Sequence, residues 1–331
     1  MKINAKEAKR IQRVARTSDI FKNFSLISLV LYFVRHKFLF VLLMPLLAFT
    51  GCTNSKEQTV SLAHPPSLKV LVTIEPYRYL VDRLAEGRVE VVVLVPPGGN
   101  PHAYELTPRE ASRVESANIW FFLGDQTERS LLEMMESKKN PVQMVDLREA
   151  LPLIEGAHCH TGHCHEGADP HIWLSPKLLK IQAGTIAAAL QKQDPESAGY
   201  YQDNLTTLLA DLDKIDAKLE DLLVKAVHKT FIISHPSLGY FCRDYGCEQL
   251  PLEQEGKEPT IKYQTAIIMK ARERGVCVVF AQEQFHKKPA ELIAKHLHAR
   301  LTVLDPYSYH FLQELELVAA VLVEQKSCSE D

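Results

Sequence analysis

The chain has 331 residues, enough for two domains that each bury a core. Hydrophobic residues make up 46% and charged residues 24%, a globular balance that excludes a wholly disordered chain. Residues 1–51 hold nine Lys/Arg against two acids, so with a whole-chain charge of −3 the remainder carries about −10; an acidic body argues against nucleic acid as a partner.

The basic N-terminus reads as an export leader. Arg35, His36 and Lys37 precede an apolar run from Phe38 to Phe49, the length of a signal-peptide core and short for a membrane span. The run ends in Thr50-Gly51-Cys52, which resembles a bacterial lipoprotein cleavage site with Cys52 as the acylated first residue. Residues 1–51 are then a signal peptide and 52–67 a polar tether. An uncleaved N-terminal membrane anchor is the alternative, and both readings place residues 60–331 outside the cytoplasm. Of the other cysteines, Cys242, Cys247, Cys277 and Cys328 are scattered, and the sequence leaves their pairing open.

Beyond the tether, Leu68–Thr73 reads as a buried strand, Tyr77–Glu86 as a helix and Val89–Val95 as a second strand. The stretch Pro96-Pro97-Gly98-Gly99-Asn100-Pro101-His102 is a loop. Thr107-Pro108 opens a helix, with Thr107 as cap and Pro108 at the first helical position, and Ile119–Gly124 is a third strand. From Asp194-Pro195 to about Val227 apolar residues recur every three or four positions, and no Gly or Pro interrupts after Gly199. The strand–helix rhythm then restarts: strand Thr230–Ser234, helix Ser237–Tyr245, helix Thr260–Arg274, strand Val276–Phe280, helix Pro289–Leu297, strand Leu301–Leu304. The expected fold is α/β, two lobes each with a mostly parallel sheet flanked by helices, joined by one long rigid linker helix. The boundaries are 68–194 for the N-terminal lobe, with a His-rich loop at 156–168, 195–228 for the linker helix and 229–331 for the C-terminal lobe.

Four side chains stand after strands or in loops that lead into helices. His102 follows the Val89–Val95 strand, His171 lies in Ala168-Asp169-Pro170-His171-Ile172-Trp173, His235 follows Ser234, and Asp305 follows Leu304. Open parallel sheets bind ligands beyond the carboxyl ends of their strands, so these four can meet in a cleft between the lobes. Three imidazoles and a carboxylate suit Zn²⁺, with Mn²⁺ or Fe²⁺ as alternatives. Asp169 and Glu283 are candidates to orient a ligand imidazole. Separately, His158-Cys159-His160-Thr161-Gly162-His163-Cys164-His165 concentrates metal-ligating residues in one segment.

The segments Gly98–Glu105, Asp169–Pro176, Ser234–Phe241, Phe280–Phe285 and Val303–Pro306, in this order, resemble the zinc/manganese substrate-binding proteins of bacterial ABC importers. The resemblance spans about residues 68–325. It implies metal ligands at His102, His171, His235 and Asp305, and an auxiliary zinc-gathering loop at His158, His160, His163 and His165. It also implies two α/β lobes on a rigid helix and no enzymatic activity. The chain is then expected to be a lipid-anchored monomer in the periplasm or on the outer face of the cell membrane, delivering zinc to an ABC-type permease with its ATPase. A manganese or iron receptor of the same fold, a metal-binding adhesin and a zinc hydrolase are the rival readings. Four protein ligands leave little room for a catalytic water, and no His-Glu-x-x-His occurs.

Overall fold

The computed structural model of the protein describes residues 68–325, apart from 106, 108–109, 111–113, 115, 126–127, 137–141, 161–162 and 254–259. The expected signal peptide, tether and Cys52, the Pro108 helix start and Cys328 lie outside the described residues. The described residues belong to one compact unit. Among the described residues no helix is long and apolar enough to cross a membrane.

The N-terminal sheet contains β1 (Leu68–Val72), β2 (Val89–Val93), β3 (Ile119–Phe122) and β4 (Gln143–Asp146), in the spatial order β2-β1-β3-β4. Every pairing is parallel. Helix α1 (Glu75–Ala85) joins β1 to β2, and α2 (Arg129–Glu136) precedes β4. A β5–β6 hairpin (Glu155–His160, His163–Ala168) leads on to α3 (Pro176–Gln193) and the long α4 (Ala198–Val224).

The C-terminal sheet contains β7 (Thr230–Ile233), β8 (Glu248–Pro251), β9 (Val278–Gln282) and β10 (Arg300–Leu304), in the order β10-β9-β7-β8 and again all parallel. Helices α5 (Gly239–Tyr245), α6 (Ile261–Glu273), α7 (Lys288–Leu297) and α8 (Phe311–Glu324) accompany it. Both sheets use one strand order: the first strand sits beside the second on one flank and the third on the other. Each therefore has a switch point, β1/β3 and β7/β9, where a crevice opens beyond the strand ends.

Both faces of each sheet are covered, as parallel sheets require. Val70, Val72, Phe231, Ile233 and Phe280 face one continuous core shared by the two lobes. Leu71 and Trp120 on one side, and Ile232 and Val279 on the other, face separate smaller cores. The shared core runs through α4, whose Tyr201, Leu208, Leu212, Leu219 and Leu223 are buried at helical spacing. This helix packs on α1 and α3 from the N-terminal side and on α8 from the C-terminal side. Its 27 residues extend about 40 Å.

Two expectations change. The His-rich segment is an antiparallel hairpin rather than a loop, with backbone register pairing His158 with His165, Cys159 with Cys164 and His160 with His163. The linker begins with a short 3-10 turn at Pro195–Ser197, and the α-helix proper starts at Ala198, because Asp194 caps the turn through Ser197 N–H. Thr107 N–H donates to Glu110 Oε2 at 2.8 Å and Glu110 N–H to Thr107 Oγ1 at 3.4 Å, the reciprocal pair of bonds of a capping box. Cys242 and Cys247 carry free thiols, whereas Cys277 is disulfide-bonded.

Candidate metal centre

His102 sits on a 3-10 turn, Pro101–Ala103, after β2. Asn100 caps this turn by accepting His102 N–H at 3.0 Å. His171 caps a second such turn, Ile172–Leu174, and its own N–H donates to Asp169 Oδ1 at 2.9 Å. His235 leaves β7 with its N–H held at 2.8 Å by Gln282 Oε1 at the end of β9, across the β7/β9 switch point. Gln282 is fixed in turn by donating to Ser237 Oγ at 2.7 Å.

The three imidazoles converge. Their ligating nitrogens all lie within 4.8 Å of one another. His102 Nε2 is 3.3 Å from His171 Nε2, which is 3.1 Å from His235 Nε2. Relative exposure is 8% for His102 and 0% for His171 and His235, so water is nearly excluded.

Each ring is oriented by a carboxylate at its far nitrogen. His102 Nδ1 meets Asp125 Oδ2 at 2.7 Å, His171 Nδ1 meets Asp169 Oδ1 at 2.7 Å, and His235 Nδ1 meets Glu253. An ionised carboxylate only accepts, so beside Asp125 and Asp169 the Nδ1 atoms of His102 and His171 donate and their Nε2 atoms face inward as acceptors. Lone pairs crowded at about 3 Å repel unless a cation lies between them. This donor set fits a transition-metal ion, and its outer carboxylates raise the basicity of the rings.

The surroundings hold this arrangement stiffly. Asp125 and Leu123 donate their backbone N–H groups to the buried Glu128, which also receives Thr73 Oγ1 from the end of β1. Burial pushes the Glu128 carboxyl up to about 8, with the Thr73 bond opposing. Burial likewise lifts the Glu253 carboxyl to about 7, with His102 opposing. Tyr240 of α5 donates its hydroxyl to Asp169 O at 2.7 Å, and the His235 ring stacks on Phe285 at 4.6 Å and 9°.

Asp305 is not brought into this donor group. Its Oδ1 instead accepts from Gln284 Nε2 at 2.7 Å and from Tyr307 N–H at 3.2 Å. Glu283 does not orient an imidazole either. It is exposed and pairs with Lys287, four residues on, at 2.8 Å. The orienting role on that side falls to Glu253, which sequence reasoning missed along with Asp125 and Tyr307. Tyr307 places its hydroxyl 3.1 Å from His102 Nε2 and 3.3 Å from His171 Nε2. Burial raises that hydroxyl's pKa well above its ordinary value.

Gly239 explains how tightly the lobes meet here. A Cβ at this position would lie 2.5 Å from Asp169 Oδ2. Gly239→Ala is therefore expected to displace the carboxylate that orients His171 and to weaken divalent-cation affinity about 10–100-fold. Competitive titration against a chromophoric chelator reads this out; affinity equal to the parent's would show that Asp169 shifts without moving His171.

The chain is 27% identical over 277 residues to the high-affinity zinc uptake system protein ZnuA of Bacillus subtilis, covering 81% of this chain and 87% of that protein. A crystal structure of ZnuA superposes with a TM-score of 0.72 at 33% identity, covering 79% of this chain and 99% of that one. A 138–173 deletion mutant of ZnuA with zinc bound gives a TM-score of 0.71, also at 33% identity, over 77% and 96% of the two chains. The family model described as zinc-uptake complex component A, periplasmic, matches residues 70–315, and the chain belongs to this family of metal-binding substrate receptors of ABC importers.

Proposed function

We propose that the protein captures Zn²⁺ between its lobes through His102, His171 and His235 and delivers it to an ABC-type membrane permease driven by an ATPase. The observation that carries this reading is the convergence of three buried imidazoles, each ring braced at Nδ1 by a carboxylate. Borderline imidazole donors favour zinc over harder ions that prefer oxygen. The relatives named for zinc uptake and zinc binding support the same ion.

In this reading residues 1–51 direct export, Cys52 carries the lipid anchor and 52–67 tether the receptor to the membrane. The segments 68–194 and 229–331 are the two lobes and 195–228 the linker. The His158–His165 hairpin gathers zinc at the approach to the crevice. A core shared by both lobes and threaded by α4 supports small lobe adjustments rather than a wide hinge.

The test is metal analysis of protein purified without added metal, followed by zinc titration in competition with manganese and iron. One tightly bound zinc per chain is expected, with loss of stoichiometric binding in His235→Ala. Tighter binding of manganese or iron would move the receptor to that cargo, and retention of stoichiometric zinc in His235→Ala would sink the site.

A further inference from the structure

Cys242 and Cys247, five residues apart around the end of α5, take no part in the metal centre, and both carry free thiols. The turn between them brings them together. Gly246 adopts a left-handed φ of 69°, and its N–H donates to Cys242 O. Cys247 N–H donates to the same carbonyl at 3.1 Å, the six-to-one bond of a Schellman turn. In that turn the side chain after the glycine commonly packs on the side chain of the residue that supplies the carbonyl. Here both are cysteines.

The surroundings of the two sulfurs agree with this. Cys242 is 9% exposed and belongs to the core shared by the lobes, and the half-buried Cys247 packs against that core. The Cys242 sulfur accepts the backbone N–H of Gln249, two residues past Cys247 in β8, so it lies along the segment that carries the second thiol. Burial raises the Cys242 thiol well above its ordinary pKa, and Cys247 adds to the rise, as a second sulfur close by does. Burial lifts the Cys247 thiol to about 11, with Lys229 opposing.

Both thiols therefore stay protonated at neutral pH, and neither is a standing nucleophile or metal ligand. A disulfide, neutral and without a polar hydrogen, suits the apolar surroundings. Its ring is already closed by the backbone bond between the same two residues, so forming it orders little more chain.

We infer that Cys242 and Cys247 are an oxidisable pair, which closes to an intrachain disulfide and staples the last turn of α5 to the start of β8. The oxidant is an external disulfide, such as that of glutathione or of a thiol–disulfide oxidoreductase. Cys247, the more exposed of the two, attacks as thiolate, expels one external thiolate and forms a mixed disulfide. Cys242 then attacks the Cys247 sulfur and expels the second external thiolate. Two protein thiols and one external disulfide become one protein disulfide and two external thiols, which carry away both protons.

Helix α5 is where the C-terminal lobe presses on the N-terminal lobe. Gly239 abuts Asp169, Tyr240 donates its hydroxyl to Asp169 O at 2.7 Å, and Arg243 Nη1 donates to Pro152 O at 2.6 Å. The staple fixes the far end of this helix. Export supplies the disulfide-permissive compartment that the pair needs, so its role in the cell rests on the receptor reading.

The test refolds the whole purified chain from urea in a buffer of oxidised and reduced glutathione, so that burial does not limit the reaction. Remaining thiols are blocked by alkylation, and the chain is digested with trypsin without reduction. Trypsin cuts after Arg243, between the two cysteines, so the expected disulfide joins peptides 230–243 and 244–257 in a single mass. Full alkylation of both cysteines, a glutathione adduct left on Cys247, or linkage of either to another cysteine would overturn the pair. In the same buffer the parent is expected to melt about 3–6 °C above Cys247→Ser, and the gap to close in dithiothreitol. A gap equal in both media would overturn the staple. Absence of the chain from the envelope of cells that express it would instead overturn the receptor reading and leave the refolding result standing.

Discussion

His171→Ala is expected to weaken zinc binding about 10²–10³-fold, more than loss of any orienting carboxylate. Structural zinc sites of four donors bind with an apparent ~10–16 kcal/mol, or ~2.5–4 kcal/mol for each donor, and 1.4 kcal/mol is a factor of ten. His171 is the hub of the cluster: its Nε2 lies 3.3 Å from that of His102, 3.1 Å from that of His235 and 3.3 Å from the Tyr307 hydroxyl. Its removal also strips the Nδ1 partner from Asp169, a carboxylate only 1% exposed. That buried acceptor keeps the His171 backbone N–H but loses one hydrogen bond, a cost of about 1–3 kcal/mol to the metal-free fold. Isothermal titration and a thermal melt of the metal-free variant separate the two effects. An affinity within threefold of the parent's would remove His171 from the ligand set.

Zinc loading is expected to raise the melting temperature by about 8–16 °C, and chelation to reverse it. A ligand present at a thousandfold over its dissociation constant stabilises the folded state by ~4 kcal/mol, and a domain of this size gains about 2–4 °C for each kcal/mol. The site exists only when the lobes are packed, because its donors come from the turn after β2, the end of β7 and the Ile172–Leu174 turn. Unfolded chain therefore has no comparable affinity. The shift should fade in acid. Protons compete with the ion for the same nitrogens, because an imidazole must be neutral to ligate, so affinity falls as the pH drops. Differential scanning calorimetry at pH 7.5 and pH 5, with zinc and with chelator, checks the sign. An equal shift at both values would mean that the ion is held by groups other than imidazoles.

Much of the fold was legible in the sequence because its signals are local. Apolar runs such as Leu68–Val72 and Val278–Gln282 are buried on both faces, and such strands carry no polar alternation to confuse the reading. The long apolar period of α4 is likewise a property of one segment. The weaker elements escaped notice. β4 (Gln143–Asp146) is only partly buried throughout, and β8 (Glu248–Pro251) opens on Glu248-Gln249 and ends in proline. The hairpin is built from His, Cys, Gly, Ala and Glu, and none of these favours strand strongly enough to announce itself.

The sequence by itself determined which imidazoles can reach the crevice. His102 and His235 follow parallel strands, and the strand direction alone sends both toward the ligand-binding end. His171 was legible through its Asp-Pro-His segment, and Asp169 two residues away is close enough to reach its ring by local geometry. Only the tertiary structure decided what completes the site. Asp125 depends on β3 lying beside β1, and Glu253 on β8 lying beside β7, where Glu253 N–H donates to Ser234 O at 3.0 Å. Strand order is a long-range property that no local pattern encodes. The exchange of Glu283 for Glu253 has the same origin: β9 ends at buried Gln282, which reaches His235, and Glu283 in the turn beyond it lies in solvent. The position of Tyr307 beside His102 and His171 is decided by lobe packing as well, since Trp173 of one lobe grips the turn that carries it in the other.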